Sequence, residues 1–360
     1  MIKEEELIEI KEIISKAEKP LYLFDDDPDG LTSFLIFWRK FQKGKGIPVK
    51  GQVTQALISK IKMENPDLIV ILDKPIVEEE FVTNVNTKIL HLDHHPVINI
   101  KANNYKYFNP RIIDPKDERP TSYWAYQCIK EDEWLATIGC ISDWFIPEFA
   151  VNFQKEYPDL LPKISNPGEI IFKSPFGKLI KTFYFCLKGK SQDVKKCINI
   201  LTRIENPYEI INQTTPRGKF ISKYFEKEET KYSILIENIL SVKFKGKFLI
   251  HTYPSSQESF TSLLSNEISV KRPGKVIILG RIKDDKVIMS LRSNELIIPP
   301  ILKEAIDGLN NATGGGHDHA CGSVVMQDDF NTFITKFKKL ALLQIKSNKT
   351  QTPNTHPKVM

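Results

Sequence analysis

Three aspartates at alternate positions, Asp25, Asp27 and Asp29, close the apolar run in LYLFDDDPDGLTS, residues 21–33. If a strand runs through Asp29, its period of two turns all three carboxylates to one side at its carboxyl end. Open α/β sheets bind their ligands at that end. Carboxylates so close repel one another, and a divalent cation with hard oxygen ligands is the simplest means of keeping all three ionised. Gly30 lets the backbone turn tightly into the next helix. Read alone, the same stretch is equally a solvated Asp-rich turn whose carboxylates cap a helix. Further metal-competent side chains follow: Asp73 after DLIVIL, Asp93, His94 and His95 after KILHL, and Asp143 after LATIGCIS.

The elements that must hold these groups can be read from the same sequence. DLIVIL, residues 67–72, is apolar throughout, as strands buried on both faces of a parallel sheet are. Residues 88–92 and 105–108 read as two more short strands. Helices are expected over 8–17, 31–42, 77–82, 121–130 and 134–142, with KGKGIP, residues 43–48, as a loop. Three successive strands thus end in metal-competent side chains, which is βαβ architecture with a site along one sheet edge. The apolar helix ending at Asp143 would deliver a further carboxylate, although a helix-end Asp facing water is the plain alternative.

Beyond residue 148 the pattern turns mostly helical, and 218–240 reads as a long polar helix bridging two domains. Then come a strand at 247–253, a helix at 259–268, a hairpin over 276–293 turning at Asp284-Asp285, and a helix at 301–306. The loop ATGGGHDHACG and a helix at 330–345 complete a second α/β unit. That loop is either an anion cradle of exposed amides beside His317 or a tight connection between elements. The expected divisions are 1–217, a linker helix at 218–245, a second domain at 246–345, and a disordered polar tail at 346–360. The fold class expected is α/β, with two domains, each a mostly parallel sheet flanked by helices, and an active-site cleft between them.

Composition bounds the answer. A chain of 360 residues with 41% hydrophobic content can bury two cores. The net charge of +6 permits a polyanionic partner without requiring one. Five scattered cysteines without metal-type spacing fit reduced thiols. The amphipathic start MIKEEELIEIKEII is no signal peptide, and no apolar run approaches the roughly 18 residues of a membrane span. The expectation is a soluble cytoplasmic protein with no membrane partner.

Taken in order, DxDxDG at 25–30, Asp73, Asp93-His94-His95, Asp143 and GGGH at 314–317 resemble the DHH phosphoesterase family with its associated C-terminal domain. The likeness extends over most of the chain, and the alternating aspartates are most similar to the RecJ-like single-strand exonucleases. The resemblance implies that Asp27, Asp29, Asp73, His94 and Asp143 bind a divalent pair, with Asp25 as an additional ligand. Mn²⁺ is the usual ion, with Mg²⁺ or Co²⁺ as alternatives. It further implies that Asp93 orients a histidine and that His95 faces the scissile phosphate. Arg292, Gly314, Gly315, Gly316 and His317 would hold the substrate's phosphate or terminal nucleotide. One departure stands out: related branches carry a His where this chain has Leu23. The implied activity is hydrolysis of phosphodiester bonds in single-stranded DNA or RNA. The alternatives are a phosphodiesterase of short oligonucleotides or small nucleotides, and a replication-complex scaffold with replication or repair proteins as partners.

Overall fold

The computed structural model describes residues 1–244, 246–255 and 259–351. The chain divides into two compact units, Met1–Glu229 and Thr230–Met360.

The first unit is built on five parallel strands. β1 (Pro20–Asp25), β2 (Lys45–Val49), β3 (Leu68–Leu72), β4 (Lys88–Leu92) and β5 (Tyr105–Phe108) lie in the order β2-β1-β3-β4-β5. Chain order reverses at β1, so its carboxyl end beside β3 is a topological switch point. Alternation along the strands sorts their apolar side chains between two faces. Tyr22, Phe24, Val70, Leu72, Leu90 and Leu92 join the larger core. α1 (Glu4–Lys16), α2 (Pro28–Phe41), α5 (Thr121–Ile129) and α6 (Glu133–Ser142) pack into that same core. Leu21, Leu23, Ile69, Ile71 and Ile89 face the other way, onto α3 (Ile58–Glu64) and α4 (Glu79–Thr83). The run expected as a loop at 43–48 is largely β2. Its Pro48 is tolerated because β2 is an edge strand, where a missing N–H breaks no interior ladder.

Six helices complete this stretch of chain: α7 (Ala150–Glu156), α8 (Pro167–Lys173), α9 (Pro175–Cys186), α10 (Ser191–Leu201), α11 (Pro207–Ile211) and α12 (Pro216–Ser241). The division between units falls inside α12.

The second unit contains β6 (Phe248–Pro254), α13 (Thr261–Lys271), β7 (Val276–Lys283), β8 (Lys286–Arg292), α14 (Ile298–Ile306), β9 (Thr313–His317), β10 (Ala320–Met326) and α15 (Phe330–Gln351). Its sheet runs β6-β7-β8-β10-β9. Only β6 and β7 pair parallel, and the other three pairings are antiparallel. The expectation of a mostly parallel second sheet is therefore corrected. Two hairpins, β7–β8 and β9–β10, supply four of its five strands, and a hairpin can only make antiparallel pairs. The second hairpin is the segment expected as a glycine-rich loop. Residues 346–351, expected in a disordered tail, continue α15, while 352–360 lie outside the described residues. All five cysteines are free and buried. No described helix is long and apolar enough to cross a membrane.

Candidate metal centre

The acidic turn is built by a strand end and a helix start rather than by one long strand. β1 stops at Asp25, Asp27 is the N-cap of α2, and Asp29 lies in the first helical turn. The carboxylates converge because the chain reverses between them, not because a period of two aligns them. Asp27 accepts a hydrogen bond from the Gly30 amide at 3.0 Å, so it is both a candidate ligand and a helix cap. Gly30 is needed for close approach: a Cβ there would sit 2.7 Å from the Asp25 amide nitrogen and 2.8 Å from its carbonyl oxygen.

Asp29 is 1% exposed and its carboxylate caps a distant helix. It accepts 2.9 Å hydrogen bonds from the amides of both Thr121 and Ser122, the first residues of α5. That helix has no cap of its own, since Pro120 precedes it without a side-chain bond. Orphan amides at a helix start attract an anion, and here the fold supplies one internally.

Asp73, just past β3, is the hub. It has φ 59°, an uncommon backbone for a residue other than glycine, and it is 1% exposed. Its amide bonds to the Leu92 carbonyl at 3.0 Å, which fixes it to β4. Asp73 Oδ1 accepts from Thr121 Oγ1 at 3.1 Å and lies 3.4 Å from His94 Nε2 and 3.8 Å from His95 Nδ1. Asp93 works one layer behind. Its Oδ1 holds His95 Nδ1 at 2.8 Å and its Oδ2 accepts from the His95 amide at 3.1 Å. Tyr107 Oη and Asn109 Nδ2 brace the same oxygen at 3.4 Å each, and Asn109 also donates to the His95 carbonyl at 2.9 Å. Asp143, the C-cap of α6, puts Oδ2 3.5 Å from His94 Nε2. A carboxylate at a helix C-terminus opposes the helix dipole, a placement that local stability does not favour.

The sequence-predicted ligands of the first unit therefore come together. Three groups have ligand atoms within 4.8 Å of one another: Asp73, His94 and His95; Asp29, His94 and Asp143; and Asp25, Asp27 and Asp73. Asp73 belongs to two of them and so does His94. The charge balance is strained. Burial, with mutual repulsion behind it, pushes Asp25 and Asp143 up to about 6 and pushes Asp27 and Asp29 well above the carboxylate range. Burial would raise Asp73 too, but hydrogen bonding and charge from His94 hold it low. Burial opposes charging of His94, yet Asp143 and Asp73 outweigh it and raise its pKa. This donor set of carboxylates with one or two imidazoles and no thiolate suits a hard or borderline divalent ion. Buried acids that cannot all ionise unaided are relieved by such an ion, so the residues fit a divalent metal.

Two lysines were missed by sequence reasoning. Lys74, 1% exposed, donates to Asp25 Oδ1 at 2.7 Å and to the Val49 carbonyl at 3.1 Å. Lys188, between α9 and α10, reaches the carbonyl and carboxylate of Asp26, both at 3.2 Å. Lys74 was detectable as a Lys beside a strand-end Asp, whereas Lys188 has no local signal, being 162 residues from its partner. Leu23 is buried in the apolar layer with Leu21, Ile69 and Ile71, below Asp25 on the same strand face.

In the second unit, Gly314, Gly315, Gly316 and His317 form the exposed edge strand β9. Gly316 has φ 144°, and a Cβ there would meet the Ala320 carbonyl oxygen at 2.4 Å. Arg292 and His317 both pair with Ala320 across the ladder, from β8 and β9, so the three share one sheet face. The Arg292 guanidinium bonds to Asn266 Oδ1 at 2.5 Å, Ser262 Oγ at 3.1 Å and the carbonyls of Leu291 and Cys321 at 2.9 and 3.3 Å.

The DHHA1 domain family matches residues 255–342. A sequence search of curated proteins gave no match. Among solved structures, the chain is similar to RecJ from Thermus thermophilus in complex with Mn²⁺, at 15% identity and a TM-score of 0.67. That match covers 94% of this chain and 55% of RecJ, so the chain spans about half the length of that protein. An exonuclease RecJ bound to manganese matches at 16% identity and a TM-score of 0.57, covering 100% of this chain and 97% of the other. The DHH domain of a protein assigned to a ribosomal-protein family matches at 15% identity and a TM-score of 0.63, over 94% and 90% of the two chains. The fold is the one these proteins share.

Proposed function

We propose that this chain, a DHH-type protein with the RecJ-like fold and a DHHA1 domain, is a divalent-metal-dependent phosphodiesterase that hydrolyses single-stranded nucleic acid. The observation that carries this reading is the double membership of Asp73: one buried carboxylate serves two ligand groups, in each of which the ligand atoms lie within 4.8 Å of one another. Two adjoining groups of ligands would suit the paired ions of two-metal phosphoryl chemistry. Asp25, Asp27, Asp29, Asp73, His94 and Asp143 would hold the pair, with Mn²⁺ favoured and Mg²⁺ or Co²⁺ as alternatives. When bound, such ions polarise the phosphate and lower the pKa of water.

The remaining roles belong to the chain itself. Asp93 accepts a 2.8 Å hydrogen bond from Nδ1–H of His95, and the charge of Asp93 favours the protonated ring against burial. Nε2 of His95 would then meet a phosphate oxygen as a donor. Tyr107 and Asn109 keep Asp93 from turning away. In the second unit, Arg292, His317 and the amides of Gly314, Gly315 and Gly316 would hold phosphates of the strand. Arg292 is anchored by its own sheet, so an anion meets a guanidinium that is already oriented.

The alternatives remain a phosphodiesterase of short oligonucleotides or small nucleotides, and a weakly catalytic scaffold for replication or repair proteins. The ammonium of Lys74 on Asp25 favours the scaffold, because it neutralises one candidate ligand without a metal. End-labelled single-stranded DNA, RNA and dinucleotides, incubated with Mn²⁺, Mg²⁺ or Co²⁺, separate the three. Release from the long strands is expected; no release from any substrate with any ion overturns the phosphodiesterase reading.

A further inference from the structure

Away from the acidic centre, the first unit has a concavity of about 370 Å³ between α10 and the start of α12. The side chains of Lys195, Lys196, Arg203 and Arg217 line it with Gln192, Asn199 and Ile200; mostly their apolar stems form its wall, and no acidic residue lines it. Gln192, Lys196 and Asn199 recur at helical spacing along one side of α10, so their side chains project in one direction, and Arg203 follows just past its C-terminus. From Gln192 to Leu201 α10 rises about 14 Å, a span that a few consecutive phosphates of a strand cover.

These cations are largely uncompensated. Among the described residues, Lys195, Lys196 and Arg203 have no carboxylate within ion-pair distance, while Arg217 faces Glu209 at 3.6 Å and Glu205 at 3.9 Å. Lys196 lies 4.4 Å from the centroid of the Phe220 ring, which holds the ammonium without neutralising it. The positive field extends to α3, where burial and then the charge of Lys195 lower the pKa of Lys60. A fold that gathers like charges at a concave surface stores repulsion that an anion relieves.

Position adds a second argument. Lys188, whose ammonium touches Asp26 of the acidic turn, is a few residues before Gln192. The basic face of α10 therefore begins close to the acidic turn in the same unit.

We propose that this α10–α12 concavity is a phosphate-binding exosite that holds the backbone of single-stranded nucleic acid beyond the nucleotides at the acidic centre. The inference rests on the phosphodiesterase reading only for its purpose; the site itself is carried by its own geometry and charge. It is expected to favour long substrates over short ones, because a dinucleotide has a single internucleotide phosphate to divide between the acidic centre and α10. Its contacts are to phosphate, so it is indifferent to base sequence.

The test is binding by fluorescence anisotropy without divalent metal, so that no hydrolysis intervenes. The probe is a roughly 20-nucleotide oligothymidylate, within the range of single-strand binding footprints, compared with a dinucleotide. The triple variant Lys195→Ala/Lys196→Ala/Arg203→Ala is expected to bind the oligonucleotide at least about tenfold more weakly, and its log–log salt slope should fall by about 2 for three lost phosphate contacts. All three side chains are exposed, so the variant should keep the wild-type melting temperature. A second variant, Lys196→Glu/Arg203→Glu, should weaken binding further by repulsion. Unchanged affinity and salt slope in both variants overturn the exosite, as does a wild type that binds vesicles of anionic phospholipid but no oligonucleotide. Hydrolysis assays keep the two claims apart. A wild type that binds the strand through α10 yet cleaves nothing sinks the activity and leaves the exosite standing; cleavage with the same KM in the triple variant does the reverse.

Discussion

The ends of the two sheets treat charge in opposite ways. At the carboxyl edge of the first sheet, Asp29, Asp73, Asp93 and His94 are buried, and each is tied to backbone or to another titratable group. At the edge of the second, β9 is exposed along its length and mostly glycine, and the end of β8 level with His317 brings one fixed charge, Arg292, steadied by neutral partners. The first edge suits a small, highly charged ion that is enclosed when bound. The second suits a large, solvated anion that must come and go, for which exposed amides and one oriented guanidinium suffice.

The contrast breaks most completely at Asp73. Asp73→Asn keeps the shape and the Thr121 contact but removes the charge shared by two ligand groups. Mn²⁺ affinity by calorimetry and hydrolysis should both fall at least about 100-fold, more than outer residues of a metal site cost. Wild-type activity in that variant would remove the metal centre from the account.

Arg292→Ala should raise KM about 10- to 100-fold, the range for a lost hydrogen bond to a charged group, with kcat and Mn²⁺ binding kept. Arg292→Lys should not restore it, because an ammonium cannot reproduce the fork that spans Asn266 and Ser262. An effect on metal affinity would blur the division between the two edges.

Two neighbouring glycines test the second edge by stability. Gly316→Ala is expected to cost about 1–3 kcal/mol in chemical unfolding, the range for a strained backbone position. Gly315→Ala, with open space at its Cβ, should change stability by less than about 0.5 kcal/mol. Equal costs would mean that β9 is not held against β10 as described.

The smallest effect is on pH dependence. Asp25 and Asp143 are raised to about 6, so their contribution to stability is complete below pH about 4, where these groups are protonated in both states, and is lost as pH rises through 6. His94, also raised, acts in the same direction, since its cationic form is favoured in the fold. Metal-free protein should therefore melt a few degrees higher at pH 5.5 than at pH 8, and saturating Mn²⁺ should flatten or invert that trend because it needs ionised ligands. A metal-free melting temperature that rises with pH contradicts the raised pKa of these half-buried acids.

Sequence reading found the first edge because the strands there announce themselves: DLIVIL and KILHL stop at Asp73 and Asp93, within a residue of where β3 and β4 end. It misplaced Asp27 and Asp29, since a strand that turns into a helix and one that runs on look alike until α2 claims Pro28. The second edge misled more. GGGH lacks the β-branched and aromatic residues that mark strands, and β9 exists because β10 offers it a ladder, not because its own residues favour extension. The concavity at α10 was invisible for another reason: polar and basic side chains on a helix read as an ordinary solvated face until the start of α12 closes one side.

Asp29 has a consequence for anyone who would move this centre to another protein. A graft of residues 20–41 would carry the apolar run, the turn and all three aspartates of the motif, yet Asp29 would arrive without the α5 amides that occupy both its oxygens. Those amides come from 92 and 93 positions further along the chain. The transplant would deliver an unsatisfied carboxylate in a helix start and leave behind a helix that begins with no cap. The smallest portable piece of this centre is therefore the turn together with α5, two segments far apart in the chain that are useful only as a pair.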